Sequence, residues 1–538
     1  MANLNKIGVV GAGTMGSGIA LTALFADLRV TLYDISPEML ARAREYCEKY
    51  LTRKNKAENL QFLVTTQALE DLEGSDVVIE AAPEDLAIKH ELFARLDEIC
   101  PPPTILATNT STLPVTSIAS VVKQPERVAG MHFFNPAPIL PLVEVVRAAQ
   151  TSEDTIQTLL QLAEVLGKTP MVARDTPGFI VNRVARPFYG ESLRLLGERV
   201  ATHEQIDRIV RDGGGFRIGP FELMDLIGLD INLKAVQSVY EQNFYEPRFR
   251  PHLIQKQMVD QKTLGRKTGR GFYDYREHPE GGREEIQKAS TSGEQIDRKA
   301  GQKSGILLFA SGDFAPGLAE LCRRAGYTVK TLEEAPKSNL DGSGLFAGLL
   351  ATGASQGLKD RLQEMEEAVP DHLPILCQCA DASLTEIATW MEHPERLAGF
   401  DGLFLQNGRV ATLVPSPVLA EETRTRINDF FHDLERDAIW IEDSPALVLP
   451  RLVCMLVNEA SFAVGEGVAG PETIDRAMQL GVNYPHGPLD WGKEIGYAQI
   501  IAVLEHLRKE FGEERYRVAP WLRKQERLSR INRIMRQG

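Results

Sequence analysis

The stretch Lys6-Ile7-Gly8-Val9-Val10 is apolar and β-prone, and it runs straight into Gly11-Ala12-Gly13-Thr14-Met15-Gly16 and then the helical run Ser17 to Phe25. Strand, complete G-x-G-x-x-G, helix is the order in which a dinucleotide-binding crossover begins. Gly11 permits the tight turn, Gly13 lets the backbone approach a pyrophosphate, and Gly16 allows close helix packing, with the amides around Thr14 and Met15 at the helix N-terminus facing the anion. The next strand, Arg29 to Tyr33, ends at Asp34, 18 residues past Gly16. A carboxylate there accepts hydrogen bonds from ribose hydroxyls and repels a 2′-phosphate, so the expected cofactor is NAD rather than NADP.

Outward from this motif, short β-rich runs (Ile7 to Val10, Val30 to Tyr33, Asp76 to Ala81, Ile105 to Ala107, Leu142 to Val146) alternate with amphipathic helical stretches such as Glu84 to Ile99 and Glu153 to Leu166. Alternation of this kind predicts an α/β, Rossmann-like, doubly wound and mostly parallel sheet. From Gly178 the pattern turns helical, so a sheet domain over 1–178 precedes an all-helical domain over 179–275. Residues 276–304 hold almost no large apolar side chains and read as a linker.

Past the linker the chain repeats itself. Pro125-Glu126-Arg127-Val128-Ala129-Gly130 returns as Pro394-Glu395-Arg396-Leu397-Ala398-Gly399, Ile206-Asp207-Arg208 as Ile474-Asp475-Arg476, Gly219-Pro220 as Gly487-Pro488, and Arg248-Phe249-Arg250 as Arg515-Tyr516-Arg517, with offsets of 269, 268, 268 and 267. Near-constant spacing over four ordered matches predicts a tandem duplication, with a degenerate Rossmann-like domain over 305–444 and a second helical domain over 445–538. By this alignment Ala310, Gly312 and Ala315 fall on the three glycines, Asp401 on His132, Ala380 on Ser111 and Pro450 on Asn182. The second copy is expected to be structural.

The 538 residues carry 60 Lys+Arg against 74 Asp+Glu, a net charge of −14, with 43% hydrophobic residues. That composition describes several folded domains and gives no electrostatic footprint for nucleic acid or an anionic membrane. No apolar run is long enough to span a bilayer, and the start of the chain lacks a charged leader, so a cytoplasmic protein is expected. Six cysteines are too few for a disulfide scaffold; Cys377 and Cys379 are expected on one face of a strand as ordinary thiols.

The chemistry concentrates in Gly130-Met131-His132-Phe133-Phe134-Asn135-Pro136 and Leu142-Val143-Glu144-Val145, with Asn109-Thr110-Ser111 upstream and Gly178-Phe179-Ile180-Val181-Asn182-Arg183 downstream. Dehydrogenating an alcohol requires a base near neutral pKa, which His132 supplies, and a carboxylate to orient the imidazolium, which Glu144 offers from an adjacent predicted strand. Ser111 and Asn182 are placed to hold the substrate oxygen.

These motifs, in this order, resemble the NAD-dependent 3-hydroxyacyl-CoA dehydrogenases of β-oxidation from Ile7 to about Tyr275. The resemblance implies His132 as catalytic base, Glu144 as its partner, Ser111 as a contact for substrate and cofactor, and Asn182 as a substrate-oxygen ligand. It implies further cofactor contacts at Glu84, Lys89 and Asn135, with Lys267 reaching in from the helical domain. Where the family commonly sets a Ser and a Lys for coenzyme A, this chain has Tyr50 and Ala57, leaving Lys54 and Lys56 as substitute substrate contacts. The duplicated length resembles the two-repeat form of the family, whose implied substrates extend to 3-hydroxyadipyl-CoA in phenylacetate breakdown. The resemblance further implies an intrachain pseudo-dimer of helical domains. Two other classes compete: an NAD-dependent hydroxy-acid dehydrogenase of related architecture, which ordinarily uses a Lys base, and a non-catalytic NAD-binding scaffold.

Overall fold

The computed structural model describes residues 4–276, 305–310, 315–331, 345–351, 357–406 and 408–537. Most of the expected linker, and Gly312 of the second glycine loop, lie outside the described residues. The chain forms two compact units: Met1–Val184 with Ala463–Gly487, and Ala185–Phe462 with Pro488–Gly538. These do not coincide with the expected sequence-contiguous domains, because a segment of the C-terminal helical region belongs with the first sheet.

In the first unit the strands are β1 (Lys6–Val10), β2 (Arg29–Tyr33), β3 (Leu63–Thr66), β4 (Val77–Glu80), β5 (Ile105–Thr108), β6 (Val128–Phe133), β7 (Leu142–Arg147) and β8 (Thr169–Arg174), in sheet order β3-β2-β1-β4-β5-β6-β7-β8. Every neighbouring pair is parallel except β6 and β7. Helices α1 (Thr14–Phe25), α2 (Pro37–Arg53), α3 (Leu86–Ile99) and α5 (Glu153–Val165), with short α4 (Val115–Ala119) between them, connect the strands. Central strands covered on both faces need apolar side chains at successive positions, and Ile7, Val9, Val10, Val77 and Ile79 are fully or almost fully buried. The helix starts are set by local caps: Ser36 accepts from Met39 N–H, Asp85 from Ala87 and Ile88, and Ser152 from Thr155.

The second unit holds a sheet of β9 (Gly305–Ala310), β10 (Thr328–Thr331), β11 (Leu345–Ala351), β12 (Ile375–Gln378), β13 (Leu397–Phe400), β14 (Val410–Pro415) and β15 (Asp437–Trp440), in order β10-β9-β11-β12-β13-β14-β15. It too is parallel except at one pair, β13 with β14. Helices of the 185–275 region and of the 445–538 region complete this unit.

Each of the four repeated motifs has a physical reason. Arg127 is buried and donates to the carbonyls of Cys100 and Thr104, closing the end of α3; Arg396 does the same at Val369 and Pro370. Asp207 caps the helix Pro220–Ile227 by accepting from Phe221 and Glu222 N–H, and a Cβ on Gly219 would sit about 2.4 Å from its carboxyl. Gly487 stands against Asp475 in the same way. Around Arg248 and Arg517 the ion pairs run between the two helical regions, Arg248 to Glu459 and Arg517 to Glu246 at 2.7 Å.

Contacts between the N-terminal and C-terminal halves of the sequence come in matched sets, one in each unit. In the first unit Arg174 N–H donates to Val468 O at 2.9 Å; in the second, Glu442 N–H donates to Val200 O at 2.9 Å, each partner displaced by 268 (442 − 174, 468 − 200). Gly481 packs on Leu142 and Val181, and Gly213 on Val410 and Leu449. Arg183 pairs with Glu466 at 2.8 Å, and Arg451 with Glu198 at 2.6 Å.

Candidate active site

At the end of β1 the glycines divide their work. Gly11 adopts φ +98°, and a Cβ there would stand 2.8 Å from Ala81 O. A Cβ on Gly16 would fall 1.8 Å from Gly11 O, so that position admits only glycine. Around Gly13 nothing lies within 4 Å of the built Cβ, and Gly13 begins α1 without any side-chain cap. An open cradle beside uncapped helix amides, with Thr14 exposed and Met15 half-buried, fits a dinucleotide pyrophosphate. Asp34, past the end of β2, accepts from Ala12 N–H at 2.7 Å and from Ser36 N–H at 2.9 Å, which aims its carboxylate along the loop.

Across β6 and β7 the antiparallel register sets His132 directly opposite Glu144. His132 Nδ1 lies 2.7 Å from Glu144 Oε2, with Glu144 fully buried and His132 5% exposed. The other carboxyl oxygen of Glu144 accepts from Ile180 N–H at 3.1 Å and Val181 N–H at 3.0 Å. Three protein donors therefore fix the carboxylate, and it in turn fixes the ring. Phe134 and Phe179 flank the imidazole at 4.5 and 5.9 Å. Asn182 follows those two amide donors in the short helix Val181–Val184.

Ser111 is tied to Glu84. Glu84 Oε1 accepts from Thr110 Oγ1 at 2.7 Å, Ser111 N at 3.0 Å and Thr112 N at 3.1 Å, with Ser111 Oγ at 3.3 Å. Burial alone would push the Glu84 carboxyl up; Lys89 at 3.6 Å and these donors outweigh it and hold the group below the usual carboxylate range. Lys89 itself is 1% exposed and bonds Glu80 Oε1 at 2.6 Å. Held between the two carboxylates, its ammonium braces Glu84.

Asn135 is exposed, and the peptide to Pro136 is cis. With Gly13, Thr14 and Ser17 it lines a pocket of about 290 Å³, closed on the far side by Met39, Arg42, Ala43 and Tyr46 of α2. Lys168 Nζ, whose pKa burial lowers to about 8, holds the loop that follows Pro136 by donating to Leu140 O at 2.9 Å and to Ala137 O. Sequence reading missed Arg42 and Tyr46; the spacing of Met39, Ala43 and Tyr46 on one helical face was the available signal.

Lys56 donates to Phe25 O at 2.8 Å and to Asp27 at 2.9 Å, which secures the end of α1. Lys267 lies in the second unit, where its ammonium pairs with Asp230. Lys54 is exposed at the end of α2.

The sequence profile of the 3-hydroxyacyl-CoA dehydrogenase NAD binding domain matches residues 6–176, and that of the 3-hydroxyacyl-CoA dehydrogenase C-terminal domain matches 178–275 and again 447–538. The chain is 36% identical over 539 residues to the 3-hydroxyadipyl-CoA dehydrogenase of Escherichia coli K12, covering 98% of both. It is 43% identical over 283 residues to a probable 3-hydroxybutyryl-CoA dehydrogenase of Bacillus subtilis, covering 51% of this chain and 98% of that protein. The crystal structure of a 3-hydroxybutyryl-CoA dehydrogenase from E. coli K12 superposes with a TM-score of 0.78 at 35% identity, covering 98% of this chain and 99% of that one. The chain belongs to the 3-hydroxyacyl-CoA dehydrogenase family and is an NAD-dependent oxidoreductase of 3-hydroxyacyl-CoA.

Proposed function

We propose that His132 is the base that takes the hydroxyl proton when an (S)-3-hydroxyacyl-CoA is oxidised to the 3-oxoacyl-CoA. The 2.7 Å contact of its Nδ1 with Glu144 carries this reading. A carboxylate on Nδ1 keeps the proton there, leaves the Nε2 lone pair for the substrate hydroxyl, and stabilises the imidazolium that results. Ser111 and Asn182 hold the substrate oxygen, Ser111 being braced by Glu84. When bound, NAD supplies the acceptor for the hydride leaving C3. Gly11, Gly13, Thr14, Met15, Gly16, Asp34 and Asn135 are the residues that would hold it, with Lys89 acting through Glu84. A coupled assay with acetoacetyl-CoA and NADH tests the reaction: turnover on the thioester and none on free acetoacetate is expected.

The preferred substrate is read as a dicarboxylic thioester, 3-hydroxyadipyl-CoA. Similarity over the full length to a protein of that name supports it. A kinetic panel of acyl-CoA thioesters with and without a distal carboxylate decides it.

The chain is further read as a tandem duplication with sheet domains at 1–178 and 305–444 and helical domains at 179–275 and 445–538, paired as an intrachain pseudo-dimer. Matched motifs, matched strand order and the two sets of contacts displaced by 268 support that reading. The second copy is non-catalytic: Asp401 stands for His132, Thr412 for Glu144, Ala380 for Ser111 and Pro450 for Asn182. Six free, buried cysteines and the absence, among the described residues, of a helix long and apolar enough to cross a membrane favour the cytoplasm.

A further inference from the structure

We propose that Glu466, from the half of the sequence without a catalytic histidine, is a positioning residue for the His132–Glu144 pair, acting through Arg183. The proposal rests on the assignment of His132 and Glu144 above. The turn that follows β8 carries three things the chemistry needs: the Ile180 and Val181 amides that hold Glu144 Oε1, and Asn182. It is not a relaxed turn. Gly178 has φ +80° and Phe179 has φ +48°, a conformation that a bulky residue adopts only when its surroundings impose it. Phe179 is buried and packs against His132.

What imposes it comes from the segment Ala463–Gly487. Arg183, 2% exposed, pairs with Glu466 Oε2 at 2.8 Å, one residue past Asn182. Just before the turn Arg174 N–H donates to Val468 O, and just inside it Val181 meets Gly481 so closely that a Cβ on that glycine would stand 3.1 Å from Val181 Cγ2 and 2.7 Å from Leu142 Cδ2. The turn is thus held at both ends by residues from nearly the other end of the chain. Moving it moves the two amides and lets Glu144, then His132, drift; misplacement of a base by about 1 Å costs on the order of 10²-fold in rate.

The second unit supplies an internal control. Ala446 and Leu447 repeat the positive φ values of Gly178 and Phe179, and Arg451 pairs with Glu198 as Arg183 pairs with Glu466. There the strand residue in the place of Glu144 is Thr412, so the turn has no carboxylate to fix. Breaking the clamp should therefore cost stability in both units and catalysis in only one.

The test compares Glu466→Gln with Glu198→Gln in the full chain. Glu466→Gln should lower kcat about 10-fold, leave KM for NADH within about twofold, and speed hydrogen exchange at the Ile180 and Val181 amides. Glu466→Asp should recover part of the rate. Glu198→Gln should lower Tm while leaving kcat and those two amides unchanged. If both variants lower Tm alone, or if Glu198→Gln lowers kcat as much as Glu466→Gln, the proposal is overturned. A wild-type chain without turnover on any 3-oxoacyl-CoA would instead defeat the functional reading, and the exchange rates at Ile180 and Val181 would still decide whether Glu466 holds the turn.

Discussion

Asp401 N–H donates to Thr412 O at 3.1 Å, in the same strand register that sets His132 opposite Glu144. Where the first sheet sets His132 opposite Glu144, the second sets against Thr412 an aspartate, Asp401. Its carboxyl is fully enclosed, accepting from Leu403 and Phe404 N–H, and burial pushes it up to about 7. An acid whose pKa is raised by folding keeps its proton in the folded state where the unfolded chain has lost it. Stability is then present at low pH and declines from about pH 4 to 7. Asp401→Asn, which keeps the acceptor, should stabilise the chain by roughly 1–3 kcal/mol at pH 8 and by progressively less toward pH 4. Equal stabilisation at both pH values in thermal melts would contradict a buried ionised Asp401.

Replacing His132 by Gln should lower kcat by at least about 10²-fold with NAD affinity nearly unchanged, since loss of a general base commonly has that effect. Glu144→Gln should give a comparable or smaller fall, because the amide keeps the geometry and loses the charge. A Glu144→Gln enzyme changed only in Tm would mark Glu144 as a scaffold residue.

The glycines of the loop should separate by what surrounds them. Gly13→Ala meets no protein atom and should fold with normal Tm while raising the Kd for NAD at least about 10-fold. Gly16→Ala collides with Gly11 O and should compromise the fold itself. Calorimetry and melting curves on the two variants separate a ligand cradle from a packing constraint.

Cofactor choice follows from Asp34. NAD should be preferred, and Asp34→Ser with Ile35→Arg should narrow the gap by removing repulsion and adding a phosphate partner. Ile35 is 79% exposed, so an arginine there has room. An unmodified enzyme favouring NADP would refute the role given to Asp34.

A chain ending near residue 290 would lose Glu466, Val468 and Gly481 and uncover Leu142 and Val181. It should aggregate or form a homodimer in which Glu198 of a second copy takes the place of Glu466 on Arg183. Light scattering showing a stable, fully active monomer would sink the intrachain pairing. For the intact chain, calorimetry should find one NAD site.

The parts of this molecule that were legible in the sequence are those made of neighbours. The glycine loop, Asp34, and the strands feeding them follow from local pattern, and His132 with Glu144 follows from the residue types a base and its orienting carboxylate require, a dozen residues apart. Strands β3, β6 and β8 escaped notice: β3 and β8 are half-buried, Pro170 disguises β8, and Gly130 and His132 interrupt the β-prone run of β6. Lys89 is named through the resemblance alone, and nothing in Leu86-Ala87-Ile88-Lys89 reports that its ammonium is buried against Glu80. Least legible was the clamp: Arg174 Nη1 also reaches Glu466 O, 292 residues away, and no local periodicity reports on such a distance.

The clamp also bears on how such a chain changes over generations. In a symmetric dimer of identical subunits, every substitution strikes both active sites at once. On the duplication proposed above, the half carrying Asp401 is released from selection on chemistry, while its segment at Glu466, Val468 and Gly481 stays tied to the turn that carries Ile180 and Val181. Mutational tolerance should therefore be uneven within that half, permissive around Asp401 and Thr412 and strict along the short segment that meets Arg183.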